Sequence, residues 1–148
     1  MAGRELGVGT NSKLHLQFNE RVWERQGYNG EVFADTGFQN CWDTTRAQPG
    51  RAGILLNFTG GKIGASFARS DETRHAQEFL HEIEPAIPGL TSAWNQKSAL
   101  TFWLKNQWSR GAYSFRRAGQ SPQFAGHEGV PDGPVTVAQV AASIGTGP

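Results

Sequence analysis

Gly9-Thr10-Asn11-Ser12-Lys13-Leu14-His15-Leu16-Gln17-Phe18 sets the apolar Leu14, Leu16 and Phe18 against the polar His15 and Gln17, with one lysine at the mouth of the run. A two-residue period puts alternate side chains of a strand in a core and leaves the others half-buried. Downstream, Tyr28-Asn29-Gly30 reads as a turn, and 31–34 and 38–44 read as strands split by Asp35-Thr36-Gly37. Gln48-Pro49-Gly50 is another break. The apolar run 52–58, ending at Gly60-Gly61, has the composition of a buried strand.

The pattern changes at Ser70. Ser70 or Asp71 suits a helix N-cap, Asp71 and Glu72 favour the positive end of the helix, and Ala76, Phe79, Leu80 and Ile83 form one apolar face. Pro85 and Pro88-Gly89 stop it. Segments 99–104 and 112–115 read as two more strands. Several strands, one principal helix and strands again describe an α+β fold with a mainly antiparallel sheet. The patterned region is 1–118. From 119 to 148 the text thins: 126–148 holds no aromatic residue, and only 135–144 suggests a short strand or helix, so this part reads as a divergent or truncated tail.

At 148 residues the chain fits one domain of ordinary size, which buries about two-thirds of its unfolded surface. A formal net charge of +1 gives no electrostatic reason to expect nucleic acid or an anionic membrane. The single Cys41 excludes an internal disulfide framework and suits a reducing compartment. No run approaches the roughly eighteen apolar residues of a membrane span. Met1-Ala2-Gly3-Arg4-Glu5 lacks the apolar core of a secretory signal, so a cytoplasmic location is expected. Nineteen glycines and five tryptophans say more: they imply close backbone approaches and rigid flat surfaces for a core or a ligand.

Trp103-Leu104-Lys105-Asn106-Gln107-Trp108-Ser109-Arg110-Gly111-Ala112-Tyr113 puts two tryptophans, a small-residue turn and a tyrosine into a short span. By itself it reads as strand, turn and strand with aromatics in the core. Taken with the Lys13 segment, with Gly37-Phe38-Gln39-Asn40-Cys41-Trp42-Asp43-Thr44-Thr45-Arg46 and with Gly53-Ile54-Leu55, it resembles the flavin-dependent amine oxidases. The likeness runs from about Leu6 to Gly129 and points to the substrate half of bacterial members.

That resemblance implies roles. Lys13 is the catalytic candidate, hydrogen-bonded through a water to the flavin nitrogen that accepts hydride, where a cation stabilises developing negative charge. Trp103 lies near the flavin, with Gly111 and Ala112 passing along its ring face. Tyr113 forms one wall of an aromatic cage for the substrate amine, and Trp42 lines the substrate cavity. Asp43 and Arg46 brace it. Ala112 stands where some relatives carry a flavin-linked cysteine, so the FAD contact is expected to be non-covalent.

Other motifs do not point to a site. Gly7-Val8-Gly9-Thr10-Asn11-Ser12 imitates a dinucleotide fingerprint, yet it precedes a strand instead of following one. His75, Glu78 and His81 lack metal-pair spacing, so no metal is expected. Asn57-Phe58-Thr59 fits a glycosylation sequon only formally. Phe124-Ala125-Gly126-His127-Glu128-Gly129 imitates the family's phosphate-contacting motif at too short a distance from Tyr113, as if the gene were truncated or its frame changed.

The expected function is thus part of an FAD-dependent oxidoreductase for a small amine or amino acid. It would be inactive alone and hold FAD only in a complete enzyme or with an FAD-binding partner chain. Two alternatives are a non-catalytic subunit pairing with such a chain and an aromatic-rich β domain that binds a sugar or another ligand. The oxidase reading further expects Lys13 and Tyr113 on one concave surface, their strands in one sheet, with exposed apolar area around them.

Overall fold

The computed structural model describes residues 7–69 and 71–120, which divide into a larger unit, Thr10–Ala112, and a smaller one built from 7–9 and 113–120. Ser70 and the segments 124–129 and 135–144 lie outside the described residues.

In the smaller unit, β1 (Gly7–Val8) pairs antiparallel with β7 (Ser114–Phe115), Gly7 opposite Phe115 and Val8 opposite Ser114. The Gly9 amide extends the ribbon by donating to the Tyr113 carbonyl at 2.6 Å. The Phe115 ring lies across Gly7 so closely that a Cβ there would sit 2.4 Å from it, which only glycine avoids. The strand expected at 112–115 therefore shortens to Ser114–Phe115, and its sheet partner is β1, not the Lys13 strand. The expectation that both strands share one sheet is not met.

The larger unit is built on a five-stranded antiparallel sheet of β2 (Ser12–Phe18), β3 (Val32–Phe33), β4 (Asn40–Asp43), β5 (Gly53–Thr59) and β6 (Trp94–Phe102), in spatial order β3-β4-β5-β2-β6. Between them come α1 (Val22–Arg25), α2 (Gly61–Ser66), α3 (Glu72–Ile83), α4 (Leu90–Ala93) and, after β6, a single 3-10 turn, Trp103–Lys105. Strand β2 is central. Its Leu14, Leu16 and Phe18 are wholly buried on one face, with Leu55 and Cys41 beside them and Ala76, Phe79, Leu80 and Ile83 of α3 in the same core.

Helix α3 forms where its pattern placed it, and each end has a chemical cause. Asp71 accepts the Arg74 amide at 2.8 Å, satisfying a donor that the first turn cannot. Glu72 reaches sideways to take the Ser98 hydroxyl at 2.5 Å and the Leu100 amide at 3.2 Å, which fastens the helix to β6. At the other end Glu84 accepts from the Gly89 amide at 2.6 Å, the Thr91 amide at 2.8 Å and the Thr91 hydroxyl at 2.7 Å. Burial opposes the ionisation of Glu84, but the bonds from Thr91 and Gly89 outweigh it and hold the carboxyl below its usual range.

Strand β6 departs from the 99–104 expectation by starting at Trp94 and stopping at Phe102. Its register slips between Gln17, opposite Lys97, and Phe18, opposite Trp94, with Gln96 at φ +65° in the slip. Such a bulge breaks the alternation by which a strand is recognised. The short helices α1, α2 and α4 span four to six residues, too few to display a helical period.

Cys41 is fully buried, and burial first, with a small contribution from Glu31, pushes its thiol up to about 12 against the hydrogen bond at Val32. Since only the thiolate attacks, native protein at pH about 8 should resist a thiol reagent and label at the rate at which the core opens. Labelling as fast as that of a free cysteine would contradict this packing.

Candidate functional site

The second face of the sheet carries the site. Alternation sends Lys13, His15 and Gln17 away from the α3 core, and all three are partly buried. Cross-strand register then places their neighbours. Lys13 stands between Phe58 of β5 and Thr101 of β6, and Phe58 in turn stands opposite Asn40 of β4. His15 lies between Leu56 and Ala99, and Leu56 stands opposite Trp42. Lys13 and Trp42, far apart in sequence, therefore share one sheet face.

The floor between them is aromatic. The rings of Trp42 and Phe58 meet with centroids 5.8 Å apart at 49°, and Leu56 below them is 3% exposed. A basic group beside partly buried aromatic and aliphatic surface has the chemistry to meet the polar edge of a flat ligand whose body is apolar. Asp43, next in sequence to Trp42, points the other way. Its carboxylate takes the Trp23 indole N–H at 3.1 Å, the Thr45 amide at 2.7 Å and the Thr45 hydroxyl. It braces the strand from beneath and takes no place on the Lys13 face.

Trp103 leaves β6 at the Lys13 end of the sheet, because Thr101 stands opposite Lys13 and Phe102 opposite Ser12. Its side chain is 40% exposed and Trp108 beyond it is 86% exposed. The loop between is tied locally: Asn106 Oδ1 accepts the Trp108 amide at 2.9 Å and the Ser109 amide at 3.1 Å, and the Ser109 hydroxyl reaches the Trp103 carbonyl at 3.2 Å. Arg110, at φ +51°, turns the chain into Gly111, which is buried, and Ala112, which is partly buried. Tyr113 belongs to the smaller unit and is 54% exposed, with Val8 and Phe115 there also exposed. Of the candidate residues, Lys13 and Trp42 share one face of one sheet, and Trp103 follows the end of the strand that pairs beside Lys13. Gly111 and Ala112 follow in the same unit.

Three residues of this face escaped the sequence reading. His15 had a signal, since it lies two positions from Lys13 and must share its face. Phe58 and Asn40 had none, because they are placed by register across three strands.

A separate cavity of about 170 Å³ lies on the α3 side of the sheet, lined by Phe38, Asn57, Phe67, His75, Phe79 and Glu82 among others. Asn57 stands opposite Leu14 on the core face, so this cavity is on the far side from Lys13. Among the described residues no group of His, Cys, Asp and Glu side chains is arranged to hold a metal ion. No helix among them is long and apolar enough to cross a membrane.

The arrangement has relatives. The fold is similar to that of cyclohexylamine oxidase from Brevibacterium oxydans IH-35A, with a TM-score of 0.78 and 19% identity over 91% of this chain and 30% of that one. It is similar also to wild-type putrescine oxidase bound to putrescine, with a TM-score of 0.75 and 19% identity over 90% of this chain and 30% of that one. At such identities the likeness speaks for the fold, and the chain spans 30% of the length of either protein. No curated protein matches by sequence. The sequence model of the flavin-containing amine oxidoreductases, however, matches residues 2–143, nearly the whole chain. That match, over an antiparallel sheet in which Lys13 stands beside Phe58, shows that the chain belongs to that family.

Proposed function

We propose that this chain is the substrate-side portion of an FAD-dependent amine oxidase. The observation that carries the reading is the shared sheet face of Lys13, Trp42 and Phe58. The residues present fit the ring end of a flavin. Lys13 offers a cationic donor at the edge of an apolar floor, exposed Trp103 lies at the same end of the sheet, and small Gly111 and Ala112 permit close backbone approach. Ala112 has no atom able to bond the ring covalently, so binding is non-covalent. The described residues offer no matching cradle for the adenosine and pyrophosphate. Gly7–Thr10 runs into strand β2, whereas a dinucleotide site needs a strand leading through glycines into a helix N-terminus.

A bound flavin supplies acceptance of two electrons from the amine and their delivery to oxygen. The chain's own part is to orient and shelter. Lys13 holds positive charge where negative charge develops. Trp42 and Phe58 exclude water and hold the carbon chain of the substrate.

The cofactor's other half then comes from sequence joined to this chain or from an FAD-binding partner chain. The test is to purify this chain alone and together with such a segment, and to record flavin absorbance and amine-dependent peroxide. The isolated chain should carry no stoichiometric flavin, and the pair should be yellow and produce peroxide. Stoichiometric flavin on the isolated chain contradicts the division of labour. A yellow pair that no amine reduces favours a non-catalytic subunit, and ligand binding with no flavin in either sample favours a simple binding module.

A further inference from the structure

The cavity on the α3 side of the sheet takes no part in the proposed reaction, and its lining has two halves. One is aromatic. Phe38 and Phe79 meet edge to face with centroids 5.7 Å apart, and Phe67 stacks on His75 at 3.9 Å and 14°. All four side chains are more than nine-tenths buried. The polar half includes Asn57, Glu78 and Glu82, and no lysine or arginine is among the described lining residues.

Two acceptors of the polar half are left over. Asn57 is 2% exposed, and its Nδ2 donates to the Phe38 carbonyl at 2.6 Å and to the Asn40 carbonyl at 3.1 Å. Both hydrogens are committed, which fixes the amide in orientation. Its Oδ1 accepts no hydrogen bond among the described residues. Nor is that oxygen sealed off, because among those residues Asn40 Oδ1 alone is both sealed and unmatched. On so buried a residue the open side is the cavity that Asn57 lines. Glu78 is occupied by Arg74 at 2.9 Å and by His75 at 3.3 Å. Glu82, one turn further along α3, has neither an ion pair nor a hydrogen bond among the described residues. The Gly37 backbone runs so close to it that a Cβ there would collide with the carboxylate.

We infer that this cavity is a second binding site, for a small organic cation: a protonated primary amine on a body about the size of one ring. Its volume of about 170 Å³ suits that size, since a cavity of roughly 150 Å³ holds a benzene ring. Buried ring faces attract positive charge, Glu82 supplies a countercharge at the rim, and Asn57 Oδ1 takes one N–H. A neutral molecule of the same shape leaves Glu82 without a counterion, and an anion is repelled by both carboxylates. All the lining residues belong to the larger unit, so the site needs neither flavin nor partner chain. The sheet separates it from Lys13, and an amine held here is bound without being placed for oxidation.

The test titrates the chain with benzylamine at neutral pH, with benzyl alcohol and with benzoate, following backbone and side-chain amide resonances. Benzylammonium should bind about tenfold or more tightly than benzyl alcohol, because hydrogen bonds to charged groups are the stronger ones, and benzoate should not bind. The shifts should fall on the Asn57 side-chain amide, on Gly37 and Phe38 and on α3, and not on Lys13 or Trp42. Glu82 is exposed, so Glu82→Gln leaves the core intact and should bring the amine-to-alcohol ratio to about one. Gly37→Ala should weaken the amine severalfold by pushing the carboxylate aside. Equal affinity for amine and alcohol overturns the inference, as do shifts confined to the Lys13 face, no shift with any of the three, or a Glu82→Gln variant that keeps the full ratio. If Gly37→Ala does not fold, Glu82→Gln decides alone.

Discussion

Replacing Lys13 with methionine in the flavin-loaded enzyme should slow reoxidation by oxygen by about a hundredfold or more, while amine binding changes little. Methionine keeps the length and apolar stem of lysine, so the floor formed with Phe58 stays filled and only the charged donor goes. Lys13 is partly buried between Phe58 and Thr101, where water screens a charge less than at an open surface. Removing one preorganised donor from such a place typically costs a factor of about 10²–10³. The effect is confined to steps in which negative charge develops, because an amine in its ground state gains nothing from a nearby cation. Stopped-flow mixing of reduced enzyme with oxygen gives the first quantity, and equilibrium titration with amine gives the second. Equal oxygen reactivity in the two proteins removes Lys13 from the chemistry, whereas loss of amine affinity alone assigns it to the substrate instead.

Why Lys13 was visible in the sequence and Asn40 was not is a matter of range. The alternation of Leu14, Leu16 and Phe18 is uninterrupted and local, so the strand and the exposed face of Lys13 follow from it directly. The same holds for α3, where Asp71 and four apolar residues at helical spacing mark start and face. Strand β6 starts earlier than its pattern suggests, because the slip around Gln96 and the polar run 95–98 that contains it erase the period. The aromatic turn had a different weakness. Its residues were legible through family resemblance, yet nothing local says that 114–115 pairs with Gly7–Val8. Trp42 and Asn40 reach the Lys13 row only through the register of β4 on β5 and β5 on β2, and pairing across strands is fixed by tertiary packing that a linear pattern does not record.

The largest loss of stability from a single polar substitution should come from Asp43→Ala, at about 3–5 kcal/mol. Asp43 is 4% exposed and gathers three donors: the Trp23 indole, the Thr45 amide and the Thr45 hydroxyl. Alanine leaves the indole and the amide buried without acceptors, each costing about 1–3 kcal/mol, and opens a void beneath Trp23. Gly30 passes at φ +79°, so close that a Cβ there would lie 3.0 Å from Cβ of Asp43 and 3.1 Å from the indole, which indicates how little the surroundings can collapse. Asp43→Asn keeps the shape and one acceptor oxygen, and should cost about half as much or less. Urea denaturation of the chain, followed by tryptophan fluorescence, measures both, and a loss of this size is a large share of the roughly 5–15 kcal/mol that holds a domain together. The result also bears on the site, because Asp43 fixes from below the strand that presents Trp42 and Asn40 above. If Asp43→Ala unfolds within about 1 kcal/mol of the parent chain, the bracing role is wrong. If Asp43→Asn costs as much as Asp43→Ala, the negative charge and not the acceptor geometry holds β4 in place.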